Sequence, residues 1–212
     1  MKQLMVIGTD TDVGKTYVSG LILKKLHENG KKAAYFKAAM SGNVRLADGF
    51  LLPGDADFVK TISGISQPLA DMCPYVYETA VSPRLAAKIE GNPIEWEKIQ
   101  ETYDTLCGTY DFVTVEGSGG ILCPLRHDET ASFSLADFVK SQHLSCLLVA
   151  DAGLGTLNHV GLTAAYLKNQ NIPLQGIILN RFQAGNLLHE DNKVMCEVMS
   201  GVPVIACIPQ GA

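Results

Sequence analysis

Two lysines and a group of oxygen-bearing side chains are the residues most able to do chemistry in this chain. Gly14, Lys15 and Thr16 close the stretch IGTDTDVGKT (Ile7–Thr16) in the manner of a phosphate-binding loop. In such a loop the turn aims successive backbone N–H groups inward, and the helix that follows adds its positive end. Lys15 then sets a point charge against the β- and γ-phosphates, and the Thr16 hydroxyl can ligate Mg2+. The common loop has about four residues between its glycines; here five separate Gly8 from Gly14. The longer turn is polar as well, with Thr9, Asp10, Thr11 and Asp12. A wider rim of hydroxyls and carboxylates can reach past the phosphates to a second substrate, and Thr11 and Asp12 are expected to do so. For Asp10, a ligand contact and an Asx-type turn closed on its own backbone stand equal.

Lys37, in YFKAAMSG, ends the second apolar run. Ligands of open α/β sheets bind at the carboxyl ends of the strands, so Lys37 is expected beside Lys15 at the phosphates. Ser41 follows in a turn before Gly42. Glu116 ends the apolar run DFVTVEG, the usual position of a carboxylate near a nucleotide's magnesium. Gly117, Gly119 and Gly120 then allow close backbone approach to a ligand. Asp55 and Asp57, in PGDADF, are further magnesium candidates. One residue apart, they diverge on a helix, and Asp55 is the preferred ligand. Arg84, in SPR, could approach a substrate or lie on the surface at a helix start.

These residues need strands and helices to converge them, and the apolar pattern supplies both. Short apolar runs at 4–8, 33–38, 111–117, 146–152, 176–181 and 202–208 predict strands. Helical periodicity is expected at 14–29, 55–63, 83–90, from Pro93 to about 107, at 134–142, 157–169 and 187–199. Continuously apolar strands separated by helices imply a mostly parallel sheet covered by helices on both faces. The expected fold class is thus α/β and P-loop NTPase-like, in a single domain over 1–212. Residues 39–82 carry the weakest pattern, and a long loop in a compact domain is usually functional or mobile. Trp96 is expected to pack.

Composition excludes other classes. Apolar residues make up 47% and charged residues 18% of the 212, with a net charge of −5 and no block of like charge. No nucleic-acid surface is expected. No apolar run is long enough to span a bilayer, and the N-terminus has no secretory layout. The six cysteines are scattered without metal spacing, which predicts reduced thiols and a cytoplasmic protein.

GTDTDVGKT, the K-x3-SG run from Lys37 to Gly42, SPRLAA (82–87), VEGSGG (115–120) and GTLNH (155–159) occur in the order and spacing of the dethiobiotin synthetases. The chain resembles that family over nearly its whole length. The resemblance implies an ATP-dependent cyclo-ligase of biotin biosynthesis. Its substrates would be 7,8-diaminopelargonic acid, CO2 (from bicarbonate) and ATP, with Mg2+. One amine takes up CO2 to give a carbamate, whose oxygen attacks the γ-phosphate. The second amine closes a cyclic urea on the resulting carbamic-phosphoric anhydride and expels phosphate. Carried over residue by residue, the catalytic group is Lys37, Lys15, Thr11 and Ser41. Asp12, Val13, Gly14, Lys15, Thr16 and Tyr17 would hold the nucleotide with Glu116; Asn180 would meet the adenine, and Pro209 and Gln210 would border it. Thr16, Asp55 and Glu116 would hold the metal. Thr11, Lys37, Ser41, Gly119 and Asn158 would bind the diamine, Asn158 reaching its carboxylate tail from the other subunit of a homodimer. The family usually continues past the proline matched by Pro209. It also often places a tyrosine near the tail; Asn192 stands close to that place here, and Asp12 replaces the usual Glu. A ParA/MinD-like nucleotide switch would share the fold but carry a lysine early in the loop.

Overall fold

The computed structural model describes residues 3–211. β1 (Gln3–Gly8) passes through the glycine loop into α1 (Lys15–Glu28) and returns as β2 (Ala33–Lys37). A short hairpin, β3 (Val44–Arg45) and β4 (Leu51–Leu52), precedes α2 (Gly54–Ser63). Next come α3 (Pro83–Ile89), α4 (Trp96–Thr109) and the long strand β5 (Phe112–Gly120). A second hairpin, β6 (Pro124–His127) and β7 (Ser132–Ser134), leads into α5 (Leu135–Ser141). The chain ends through β8 (Cys146–Asp151), α6 (Thr156–Asn169), β9 (Leu174–Phe182), α7 (Leu187–Ser200) and β10 (Val204–Pro209).

The main sheet has six strands in the order β10-β9-β8-β1-β5-β2, all parallel. Its strands are continuously apolar because helices cover both faces. Leu23 of α1 and Val59 of α2 pack with Tyr35 on one face. On the other, Tyr103 of α4, Phe138 of α5, Val160 of α6 and Cys196 of α7 pack with Phe36, Leu148 and Ile177. Phe138 lies 6.0 Å from Phe36 and 5.4 Å from Tyr103, ring centre to ring centre. Trp96 packs edge-on against Phe133 at 5.2 Å, as its sequence context suggests. Chain order reverses across β1, which lies between β5 and β8. That is the position where open α/β sheets leave a crevice at the carboxyl edge. No helix among the described residues is long and apolar enough to cross a membrane, and all six cysteines are free.

Three departures from the sequence pattern have local causes. α4 begins at Trp96, not Pro93, because 93–95 stay extended to bury Ile94, and the Tyr75 hydroxyl accepts the Glu95 N–H at 2.8 Å. β5 runs on to Gly120, which pairs with Gly8 of β1. The two hairpins strands are two to four residues long, too short to show a period of two.

Residues 39–82 are tied down by buried amides. The Asn43 side chain donates to Tyr77 O (2.8 Å) and accepts from Gly54 N (2.9 Å), which fixes the start of α2. Gln67, fully buried, accepts from Tyr35 N (2.7 Å) and donates to Tyr35 O (3.0 Å). Its amide thus completes the edge strand β2 as a further strand would. Replacing it by leucine strands two buried backbone groups at about 1–3 kcal/mol each. Gln67→Leu is expected to lower unfolding free energy by at least about 2 kcal/mol, read as a shifted urea midpoint at unchanged m-value.

Candidate active site

The sheet register builds the centre of the site. Lys37 of β2 stands directly across from Glu116 of β5. The Lys37 ammonium donates to Glu116 Oε1 at 2.8 Å and to Asp55 Oδ2 at 2.5 Å. Asp55 arrives on the first turn of α2, which Asn43 holds. Asp57 lines neither cavity described below, as its divergence on the helix predicts. Thr16, on the first turn of α1, donates its hydroxyl to the same Glu116 Oε1 at 2.9 Å. The Glu116 side chain is completely buried and that of Lys37 nearly so, while Asp55 is 42% exposed.

Burial alone would drive the Lys37 ammonium down. The charges of Glu116 and Asp55 outweigh it, so its pKa is raised above the ordinary lysine value. Lys15 goes the other way: burial, then the charge of Lys37, lowers it. Its ammonium donates to Asp10 O at 2.7 Å. The buried Tyr35 phenol, on the same face of β2 as Lys37, is held neutral by burial and by the charges of Glu116 and Asp55.

The glycine loop is shaped around its lysine and its last glycine. A Cβ on Gly8 would stand 2.9 Å from Lys15 Nζ. Gly14 is left-handed at φ 96°, and a Cβ there would meet Asn180 Nδ2 at 2.0 Å. That Asn180 nitrogen donates to Val13 O at 2.9 Å. No side chain caps the start of α1, so its first N–H groups remain directed at the loop. The Asp10 carboxylate accepts from Thr11 N at 2.7 Å and lines neither cavity, so in this structure it bonds to the loop's own backbone.

Two adjoining cavities open on this centre. One, of about 420 Å3, is lined by the loop with Tyr17, Phe58, Glu116 and Arg181. The second, of about 590 Å3, is lined by Ser41, Val81, Pro83, Ser118 and Cys123 among others. Thr11, Asp12, Lys37, Asp55 and Gly119 line both. Ser41 donates its hydroxyl proton to Val81 O at 2.5 Å, leaving its oxygen to accept. Val13 is buried with Val18 and Leu147, so only its backbone faces the loop.

Asn158 and Pro209, expected at the site, line neither cavity, and Asn192 stands near the place of the family's tyrosine. Asn158 is exposed on the first turn of α6. Pro209 is exposed at the end of β10, paired with Phe182 two residues past Asn180. Asn192 is buried, its amide donating to Ala152 O (2.9 Å) and Gly153 O (3.0 Å). It braces the turn before α6 and is not presented to a ligand. Arg84 faces a separate cavity with Lys88 and Arg126, away from Lys37.

The oxygen set of Thr16, Asp55 and Glu116 suits a hard divalent cation. Glu116 Oε2 is buried without a hydrogen-bond partner, an orphan that a cation would satisfy. No group of three or more His, Cys, Asp or Glu able to hold a metal occurs among the described residues. Such a set fits Mg2+, which takes one or two carboxylates and completes its shell with phosphate oxygens and water.

Comparison with known proteins decides the family. An AAA-domain model matches residues 2–212. The ATP-dependent dethiobiotin synthetase BioD of Clostridium novyi is 45% identical, over 98% of this chain and 87% of that protein. The protein of the same name from Brachyspira hyodysenteriae is 42% identical, over 99% and 93%. The chain belongs to the dethiobiotin synthetase family. Among solved structures, a ParA family ATPase from Chlorobium tepidum superposes with TM-score 0.59 at 19% identity, covering 99% of this chain and 85% of that one. A MinC:MinD cell division complex from Aquifex aeolicus gives 0.58 at 16%, over 99% and 82%. At such identity these share the fold alone.

Within this dethiobiotin synthetase family member, sequence reasoning passed over Phe58, Val81, Ser118, Cys123 and Arg181. Phe58 lies one turn after Asp55 and its ring faces Tyr17 at 6.5 Å. Ser118 sits inside VEGSGG and donates to Ala39 O at 2.8 Å, joining the ends of β2 and β5. Arg181 follows Asn180 at a strand's carboxyl end, the same signal that marks Lys37.

Gly14→Ala combines a disfavoured φ with a collision on Asn180. Equilibrium dialysis with an ATP analogue should show its affinity reduced at least about tenfold. Lys37→Ala breaks a buried pair, an effect of about 3–5 kcal/mol. Because the Lys37 pKa is raised in the fold, its contribution is complete below the unfolded value of about 10.4 and fades as pH rises through the folded one. The deficit of Lys37→Ala against the parent, measured by urea unfolding, should therefore be constant from about pH 7 to 9 and shrink only above about pH 10.

Proposed function

We propose that the protein is an ATP-dependent dethiobiotin synthetase, a carbon–nitrogen ligase that joins CO2 to the two amines of 7,8-diaminopelargonic acid as a cyclic urea. The observation that carries this reading is the wall common to the two cavities, with Lys37 in it. The loop cavity takes ATP, and the second takes the diamine. A nucleotide switch would need only the first.

The chemistry asks for positive charge at that wall. A carbamate oxygen must approach an already anionic γ-phosphate, and two unit charges at 4 Å repel by about 4 kcal/mol at an effective dielectric near 20. Lys37 and Lys15 offset this repulsion and the charge that builds up in transfer. When bound, Mg2+ held by Thr16, Asp55 and Glu116 supplies further charge neutralisation at the phosphates. Ser41 gives its proton to Val81 and so presents lone pairs, which suits an amine N–H. Thr11, on the widened rim, holds the same end of the substrate, and Gly119 lets the backbone close on it. Asn180 keeps Oδ1 for the base while its nitrogen holds Val13. Pro209 borders the same region.

The tail of the diamine is held by a second subunit in a homodimer. Asn158 and Leu162, four residues apart on one face of α6, are both exposed, and Leu154 just before the helix is 93% exposed. Exposed apolar side chains at a helix start fit a surface covered by another copy. The start of α6 suits a carboxylate. Free cysteines fit a reducing cytoplasm.

The deciding assay supplies diaminopelargonate, bicarbonate, Mg2+ and ATP and seeks the cyclic urea by mass. ADP release should require both the diamine and bicarbonate. In Lys37→Ala, ATP-analogue affinity should stay within about threefold while turnover falls at least about 100-fold. ATP hydrolysis that is rapid without the diamine would favour the switch instead.

A further inference from the structure

Arg181 is held in a way that ordinary surface packing does not require. It lies at the carboxyl end of β9, where the pairing with β10 slips between Cys207 and Pro209. Its backbone is left-handed, φ 56°, a conformation that residues with a Cβ rarely adopt. Bulges of this kind re-aim a side chain, and here the guanidinium is turned onto the glycine loop. One nitrogen donates to Asp12 O at 2.7 Å and another to Asp151 Oδ2 at 2.7 Å. Asp12, the residue held, is itself left-handed at φ 58°. The other oxygen of Asp151 accepts from Gly153 N at 2.8 Å, fixing the anchor at the end of β8. Arg181 also lines the loop cavity.

We propose that Arg181, anchored by Asp151, is a positioning residue for the widened nucleotide loop and acts through the Asp12 carbonyl. The extra residue of the loop needs this support. A turn one residue longer has more conformations to lose when it closes on phosphate. An arginine fork can hold a carbonyl and a carboxylate together, whereas a lysine holds them only as a point charge. The ion pair itself is half-exposed, so it contributes little to global stability; its effect is on the ordering of the loop. The inference rests on the loop being the nucleotide site.

The test is the affinity of a non-hydrolysable ATP analogue with Mg2+, together with steady-state kinetics and urea unfolding. Arg181→Ala should raise both the analogue's Kd and the KM for ATP about tenfold, with kcat at saturating ATP within about twofold. Arg181→Gly relieves the left-handed backbone, so it should unfold at higher urea than Arg181→Ala yet share its affinity defect. Arg181→Lys should fall between, near threefold. Asp151→Ala should weaken binding in the parent and add little in the Arg181→Ala background. Unchanged analogue affinity in both the alanine and glycine variants, or additive effects of the two alanine substitutions, would overturn the proposal. Analogue binding needs no turnover. A failed cyclic-urea assay with these affinity changes intact would count against the reaction alone.

Discussion

The buried ion group of Lys37, Glu116 and Asp55 is the constraint around which the rest of the site is arranged. An ammonium and a fully buried carboxylate are costly to take out of water, and the cost is met only by close pairing. Three separate parts of the fold must agree for that pairing to exist. The parallel register sets Lys37 opposite Glu116. Gln67 completes the free edge of β2. Asn43 sets the start of α2 and with it Asp55. Such a group stabilises the fold weakly for its cost. A pair of apolar residues would serve stability as well, so its retention is better explained by the charge it places at the carboxyl edge of the sheet.

The loop and the ion group are joined through Glu116, whose Oε1 accepts from both Lys37 and Thr16. Thr16 opens the helix that the loop feeds, so the two cationic centres are tied by one carboxylate. Burial and the charge of Lys37 lower the proton affinity of Lys15, whereas Glu116 and Asp55 raise that of Lys37. The positive charge at the carboxyl edge is therefore held most firmly at Lys37. The longer loop moves Thr11 and Asp12 out to the rim that both cavities share.

Most of the frame was legible because continuously apolar strands and 3.6-residue periodicity are strong, local signals. The strand ends carried the site for the same reason: a polar residue closing an apolar run, as Lys37, Glu116 and Asn180 do, reads as a residue at the sheet's carboxyl edge. What was not legible depends on partners distant in sequence. Asn43 and Gln67 look like ordinary loop amides until Tyr77, Gly54 and Tyr35 are brought to them. The start of α4 depends on a hydroxyl from Tyr75. Asn192 is a further case: its sequence position marks only the place of a family tyrosine, and its amide is spent on Ala152 and Gly153. Asp10 could be weighed from sequence but not decided, since both readings use the same carboxylate.

The likeness to ParA and MinD proteins is one of fold. Those structures match the sheet and helices at 16–19% identity, and a fold shared at that level carries no reaction with it. The loop cavity is built from the glycine loop and the start of α1, with side chains from the ends of β2, β5 and β9 and from the start of α2, elements of the sheet and the helices on it. The second cavity is built so only in part. Ser41, Val81 and Pro83 come from the segments on either side of the β3–β4 hairpin and α2, and Cys123 from the connection after β5. These are the parts of the chain with the weakest periodicity and the heaviest dependence on buried amides. The loop cavity is thus set by the regular elements, whereas the space beside it is lined in large part by irregular segments that the fold holds in place.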